Sequence, residues 1–505
     1  MMSAPVALVG KGRHLKIILL VGAILSGGGP LLQPLCAEDD GVIALEGRRE
    51  IFVDRHMIDT LINARLRLHH PHREGIALGF DRPWEGIFSG VIAVMKDGEL
   101  CRMYYRGLPE VSTPELSSAV VCYAESKDGI AWTKPNLGIY QVNGTRDNNV
   151  VLANDPPFTG NFTPFIDRKP AVPPNERFKA LAGDAKSGLV AFVSGDGIHW
   201  KRLRPNPVLT DGMFDSQNIA FWSESEEHYV CYFRTWTGEG YSGFRTVSRS
   251  TSRDFLNWTR PVEMEYGDTP REHIYTNGTH PYYRAPQIYL SFGKRFFPEK
   301  AALPPEEAEA LVENPSYRVA SSDAVLMSSR GGNKYDRTFM EAFIRPGADV
   351  RDWVSRDNTP APYVVPANDR ELYIYRLSHY AQPSSHLTRY SLRVDGFVSV
   401  LFPYEGGELI TRAFTFTGRE LELNFSSSAA GGVRVEIHDA KGAPLPGYEL
   451  DKALEMIGDD IERAALWKKG TDLSELAGEA VRLRFVIRDA DLYSFRFRSQ
   501  GEERQ

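Results

Sequence analysis

The sequence predicts an all-β protein, a five-bladed β-propeller followed by a C-terminal β-sandwich, and three observations carry that reading. A Ser-x-Asp-Gly-x-x-Trp turn recurs as Ser126-Lys127-Asp128-Gly129-Ile130-Ala131-Trp132, as Ser194-Gly195-Asp196-Gly197-Ile198-His199-Trp200 and, with Phe for Gly, as Ser252-Arg253-Asp254-Phe255-Leu256-Asn257-Trp258. Two weaker echoes, Ser329-Arg330-Gly331-Gly332-Asn333-Lys334-Tyr335 and Arg393-Val394-Asp395-Gly396-Phe397, place copies at 128, 196, 254, 331 and 395, spaced by 58 to 77 residues. Such a unit is too short for a domain and long enough for four strands with their loops, the content of one propeller blade. After residue 408 the turn disappears, and cleanly alternating runs at 411–418, 420–425, 433–439 and 481–489 read as a sandwich.

The turn has a physical basis. Asp-Gly supplies the positive φ of a tight hairpin, the Ser and Asp side chains bond to turn amides, and the Trp ring fills space between sheets. Strands follow from alternating aromatic and β-branched residues. In the first unit they fall at 88–95, 100–106, 119–124 and 149–152; in the third at 214–222, 227–234 and 244–249; in the fifth at 363–366, 371–376 and 387–394, with 397–402 closing it. Residues 304–312 read as a short helix inserted in the fourth unit. The propeller is assigned to 48–405 and the sandwich to 408–500. The run Ile51-Phe52-Val53 is expected to complete the last blade, so Asp54 behind it is not taken as a catalytic acid.

Residues 1–37 read as a secretory signal peptide, because Lys11, Arg13 and Lys16 precede the apolar run 17–25 and Leu35-Cys36-Ala37 offers a cleavage site. A secreted or periplasmic protein without a membrane span follows from that reading. Its removal takes the formal charge from −7 to −10. An acidic chain repels nucleic-acid and anionic membrane surfaces, so a neutral or weakly charged ligand, a carbohydrate included, fits better than a nucleic acid. Cys101 and Cys122 lie on consecutive strands and either pair, leaving Cys231 alone, or all three are buried thiols. No metal-binding spacing and no phosphate-binding Gly loop occur, so no cofactor is expected, with an axial Ca²⁺ left open.

Five units, the Ser-x-Asp-hydrophobic-x-x-Trp turn, the leader and the trailing sandwich together resemble the five-bladed propeller glycoside hydrolases, the invertase and levanase group and the arabinanase and β-xylosidase group. The invertase signatures Asn-Asp-Pro-Asn-Gly, Arg-Asp-Pro and Glu-Cys do not occur. The resemblance implies a secreted glycosidase whose innermost strands start around one funnel, where one carboxyl group protonates the leaving oxygen and another attacks or activates water.

The residues at those starts nominate Asp215, Glu85 and Glu272 as catalytic. Asp215 leads, since Phe214-Asp215-Ser216-Gln217-Asn218 surrounds an acid with amide and hydroxyl donors before an apolar strand, with a strand-starting Asx turn as the alternative. Glu85 and Asp81 stand where the resemblance puts a first-blade base or nucleophile, and Trp84 is either a sugar platform or packing. Glu272 is a proton donor or a solvated loop residue. Asp167 is a supporting acid or a salt-bridged loop residue. Gln217, Asn218, Asn277, His280 and Arg284 are assigned to substrate hydroxyl or carboxylate groups, with blade closure as the other account of Arg284.

Two further readings stay open. One is a sialidase-like enzyme with Arg245, Arg284 and Arg318 around a substrate carboxylate. The other is a non-catalytic glycan-binding propeller.

Overall fold

The computed structural model describes residues 41–109 and 116–499, so the leader expected over 1–37 lies outside the described residues. The chain forms a five-bladed propeller, each blade a separate antiparallel sheet. The first joins Gly90–Asp97, Leu100–Gly107, Val120–Ser126 and Val150–Leu152; the second Thr163–Ile166, Phe178–Asp184, Gly188–Ser194 and Lys201–Arg202. The third joins Ile219–Ser223, His228–Trp236, Arg245–Ser252 and Val262–Glu263. In the fourth, Asn277-Gly278 breaks the inner strand into His273–Thr276 and Thr279–Tyr282, both paired with Ala285–Phe297, and Ser321–Ser329 lies outside. The inserted helix expected near 304–312 runs over Pro305–Leu311.

The three clear turns close as their residues dictate. Ser126 Oγ donates to Asp128 Oδ1 at 2.8 Å and accepts from Gly129 N at 2.9 Å, while Ile130 N and Ala131 N donate to Asp128 Oδ1 at 2.8 and 2.9 Å. The same pattern holds at Asp196 and Asp254. Gly129, Gly197 and Phe255 have φ of 70°, 79° and 66°, so the third turn places Phe where glycine is favoured. That side chain is fully buried among Phe165, Tyr229 and Trp258, which offsets the backbone strain.

Each turn also fastens a blade to the one before it. Tyr104 of the first blade donates to the Gly197 carbonyl at 2.9 Å, and Tyr375 of the fifth donates to that of Gly129 at 2.5 Å. A Cβ on Gly197 would lie 2.5 Å from the Tyr104 hydroxyl oxygen. Trp200 packs on Phe162 at 4.9 Å and on Tyr104 at 6.1 Å, and Trp132 on Tyr375 at 5.7 Å.

The ring closes differently from the sequence expectation. His72–Gly79, not the Ile51 run, is the outer strand of the fifth blade, paired with His386–Arg393, which pairs in turn with Glu371–Ser378. Val398–Phe402 leaves the propeller and pairs with Arg65–Leu68 and Val481–Arg498. Four N-terminal strands between Ile43 and Leu68 thus join the C-terminal strands in one ten-stranded sheet, folded over a core that includes Phe52, Leu423, Trp467, Phe485 and Phe495. The strand pairing therefore crosses the boundaries drawn at 48, 405 and 408. The Ile51 run is buried on both sides, Ile51 and Val53 against propeller residues such as Ile288 and Leu372 and Phe52 in the C-terminal core, so it pairs with the ten-stranded sheet while still covering the propeller.

Asp395, in the fifth turn, joins the two parts. Its buried carboxylate meets Arg284 at 3.1 Å, Arg49 at 3.5 Å, the Tyr282 hydroxyl at 2.7 Å and the Ser494 hydroxyl at 2.6 Å. Cys101 stands opposite Ser126, and Cys122 opposite Tyr105, so these cysteines do not face each other. All three described cysteines are free and buried.

Two outcomes follow. Ellman's reagent reacts with Cys101, Cys122 and Cys231 only after denaturation. For Asp254, burial works to raise the carboxyl pKa, but donors from Asn257, Leu256 and Ser252 outweigh it and pull it down to about 2. Its contribution to stability is therefore complete above about pH 4, where the unfolded carboxylate is ionised, and is lost as the pH falls through 2. In urea unfolding the Asp254→Asn variant is less stable than the parent at pH 6, and the gap narrows towards pH 2.

Candidate functional site

A cavity of about 380 Å³ opens where the innermost strands begin, lined by Gly90, Asn161, Asp215, Gln217, Tyr275, Thr276 and Thr359 from all five blades. Tyr241, Tyr317 and Tyr380 add aromatic surface, and Arg106, Lys294 and Arg356 add cations. The strands reach it because inner strands start at the axis and the second strand of each blade ends beside those starts. Gly90 pairs with Arg106, Thr276 with Lys294 and Pro360 with Arg376.

Asp215 is the sequence-nominated acid that reaches this cavity. Its Oδ2 lies 3.3 Å from Arg234 Nη1, and its buried Oδ1 has no partner. Asp184 is a second carboxylate at the wall. Its Oδ1 accepts the backbone N–H groups of Lys186 and Ser187 at 2.9 and 2.8 Å, which leaves Oδ2 outside that turn.

Glu85 and Glu272 do not line the cavity, which corrects the expectation that either would pair with Asp215. Glu85 is buried in the first blade, accepting from Lys134 Nζ at 2.7 Å and the Tyr105 hydroxyl at 2.5 Å. Glu272 is held by Arg295 at 3.0 Å and Arg337 at 2.8 Å. In each case a nearby cation claimed the carboxylate, an interaction between distant parts of the chain.

The other nominated residues divide between cavity and scaffold. Gln217 lines the cavity and donates to the Ile92 carbonyl at 2.7 Å; Asn218 is buried and donates to the Phe214 carbonyl at 3.2 Å. Asn277 is buried at the break in the fourth blade, accepting from Thr279 N at 2.9 Å. Trp84 is 5% exposed and donates to Asn149 at 2.8 Å, so it packs and offers no platform. Asp81 is exposed beside Lys134 at 2.8 Å. Asp167 is buried against Lys179 at 2.9 Å; it follows its strand and so sits towards the other mouth of the axis. Arg284 belongs to the Asp395 hub, and Arg318 donates to the Val312 and Glu313 carbonyls. The triad of Arg245, Arg284 and Arg318 is therefore not assembled.

His280 lies within the axis, its ring tilted against Tyr363 at 5.3 Å, with Nδ1 donating to the Gly278 carbonyl at 2.8 Å. Burial depresses its pKa to about 4, which keeps the imidazole neutral at pH 7. Beyond it a second cavity of about 310 Å³, lined by Trp222, Tyr282 and Tyr283 among others, opens at the opposite mouth.

No family model matches the chain, and no curated protein matches it. Among solved structures, one described as a glycoside hydrolase aligns at 13% identity over 64% of this chain and 92% of its own, with a TM-score of 0.41. A structure from Parabacteroides distasonis described as a glycoside hydrolase aligns at 13% over 65% and 96%, at 0.40. A fructofuranosidase from Schwanniomyces occidentalis complexed with fructosylnystose aligns at 9% over 91% and 99%, at 0.37. These are what the chain is similar to, and the chemistry of its cavity is argued from its own side chains.

Those side chains include the cations Arg106, Lys294 and Arg356, which the sequence reading did not nominate, and Arg234 stands against Asp215 without lining the cavity itself. A signal for three of them exists in the sequence. The second strand of four blades carries a basic residue just after aromatic ones, in Tyr104-Tyr105-Arg106, Tyr232-Phe233-Arg234, Phe292-Gly293-Lys294 and Tyr373-Ile374-Tyr375-Arg376. Around the cavity, burial holds the Lys294 ammonium well below the ordinary lysine range; Asp357 opposes this, and the guanidiniums of Arg356, Arg234 and Arg245 add to it. Among the described residues no group of three or more His, Cys, Asp or Glu side chains gathers to hold a metal ion, and no helix is long and apolar enough to cross a membrane.

The two Lys134 partners separate burial from exposure. Replacing Glu85 by Ala leaves Lys134 without its buried counter-charge and lowers the unfolding free energy by about 3 kcal/mol in urea titration. Asp81→Ala, at the exposed end of the same lysine, changes it by less than about 0.5 kcal/mol.

Proposed function

We propose that the protein is a glycoside hydrolase acting outside the cytoplasm, which takes a sugar into the cavity of about 380 Å³ with Asp215 as the carboxylate at the glycosidic bond. The observation that carries this reading is the free Oδ1 of Asp215, a buried acceptor without a partner on a residue that lines a pocket walled by tyrosines. Buried acceptors are ordinarily satisfied, so an unmatched one in a cavity suits a ligand hydroxyl or a reacting atom. Tyr275, Tyr317 and Tyr380 offer rings and hydroxyls of the kind that grip a sugar. Asp184 is the second carboxylate, to attack, to activate water or to protonate, the division of labour that two-carboxylate hydrolysis requires. The leader read over 1–37 supports action in the periplasm or outside the cell.

A second reading, a glycan-binding propeller, draws on the placement of Glu85 and Glu272 in ion pairs away from the cavity. A panel of aryl glycosides and oligosaccharides, with Asp215→Asn beside the parent, decides between them. Hydrolysis of one member that drops about a thousand-fold in Asp215→Asn, with sugar binding retained, establishes the enzyme. No hydrolysis by either protein, with sugar bound by both, establishes the binding propeller.

A further inference from the structure

At one wall of the cavity the chain gathers more positive charge than it neutralises: Lys294 and Arg356 line the cavity, and Arg234 and Arg245, which do not, lie against its Tyr275 wall. Arg234, Arg245 and Lys294 surround the Tyr275 ring, at 4.3, 5.4 and 4.7 Å from its centroid, and Arg356 lies 4.5 Å over the neighbouring Tyr317 ring. Elsewhere the buried cations are matched: Arg376 meets Asp352 at 3.0 Å, Arg330 meets Glu50 and Asp54, and Arg284 meets Asp395. Here Asp215 serves Arg234 alone, through one nitrogen. Among the described residues Arg245, Arg356 and Lys294 have no carboxylate at ion-pair distance; Lys294 donates to Thr359 Oγ1 at 2.7 Å and to the Arg356 carbonyl. Asp357, behind Lys294, accepts the backbone N–H groups of Asn358 and His379, both at 2.8 Å.

The unused donors point the same way. Arg234 is 4% exposed, yet its Nε and Nη2 are buried without partners, as are Nε of Arg245 and Nε of Arg356. These guanidiniums lay their faces on aromatic rings, which leaves their N–H edges for an acceptor in the guanidinium plane. Buried donors without partners cost stability, and like charges gathered in a low-dielectric pocket repel. A group that repays both is an oxyanion, which takes charge-assisted hydrogen bonds along those edges. The depressed Lys294 ammonium is the expected state of such a cluster without its anion.

We infer that the cluster of Arg234, Arg245, Lys294 and Arg356 is a subsite for an oxyanion carried by the sugar, a uronate carboxylate or a sulfate ester, set beside Asp215. This rests on the reading of the cavity as a sugar site and names the class of sugar: an acidic glycan. Asp215 faces the same cluster, so the anion and the bond to be cleaved belong to one sugar residue or to adjacent ones.

Isothermal titration of the protein with glucuronate, galacturonate, glucose 6-sulfate, glucose, galactose and inorganic phosphate tests it, at two salt concentrations. The expected result is that at least one acidic sugar binds about tenfold or more tightly than its neutral counterpart, and less tightly at high salt. Arg356→Gln and Arg245→Gln each lower that affinity about tenfold, with unchanged circular dichroism. Asp215→Asn keeps or strengthens it, because a negative charge beside the anion is removed. Equal binding of acidic and neutral sugars overturns the inference, as does binding of inorganic phosphate with no preference for any of the three acidic sugars. The unaltered protein decides this even where a variant fails to fold. Hydrolysis of a neutral glycoside without any acidic preference leaves the hydrolase standing and removes the subsite; acidic-sugar binding without hydrolysis of any glycoside does the reverse.

Discussion

The ring depends on a hydroxyl of one blade reaching the turn of the next. Tyr104 donating to Gly197, and Tyr375 donating to Gly129, each bridge a gap between sheets that share no backbone ladder. Blades otherwise meet largely through side chains, with a backbone bridge at Glu265 and Lys334 between the third and fourth, so a hydrogen bond of fixed geometry sets their angle where apolar contact would allow sliding. The Ser-Asp pairs hold the turn carbonyls in position for this, and the glycine at Gly197 keeps the approach open. A local four-residue turn thereby determines a global property, the convergence of the inner strand starts on one cavity.

The same dependence runs through Asp395. In the last copy of the turn the acid no longer serves its own amides but gathers Arg49, Arg284, Tyr282 and Ser494. Two guanidiniums and two hydroxyls offset the desolvation of a fully buried carboxylate, and they come from the propeller and from both ends of the ten-stranded sheet. Repetition supplied a residue at a defined place, and the seam between two parts of the molecule used it. Arg284, which the sequence offered equally as a ligand contact or as a fastener, is a fastener for this reason.

The legible part of the structure was the local part. Turns written in seven residues announced three blades, and their echoes the other two, because the bonds that make them stay within those residues. The closing strand was not legible, since the apolar Ile51 run looks the better strand than His72–Gly79 and only the distant partner decides between them. At the site, Asp215 could be read because an acid before an apolar inner strand has few places to go. Glu85 and Glu272 looked similar in sequence, yet Lys134 and Arg295 lie far along the chain and decide their fate. Three of the cations at the cavity, Arg106, Arg234 and Lys294, were written in plain repetition, aromatic residues and then a basic one near the end of the second strand, whereas Arg356 was not. A basic residue in a strand otherwise reads as solvated surface.

Fastening the fifth blade with His72–Gly79 puts its two halves more than three hundred residues apart. At the roughly 5–20 residues per second of synthesis, that strand waits about 15–60 s for His386–Arg393 to emerge. The strands between Ile43 and Leu68 wait longer still, three of them for partners between Val398 and Phe416 and Glu50–Ile51 for Val481–Arg498. Throughout that interval the molecule carries unpaired strand edges at its beginning and an open ring behind them, the condition in which chains pair with their neighbours. A protein built this way is exposed to self-association before it is exposed to substrate, and holdase chaperones that shield a nascent N-terminal segment bear directly on its yield.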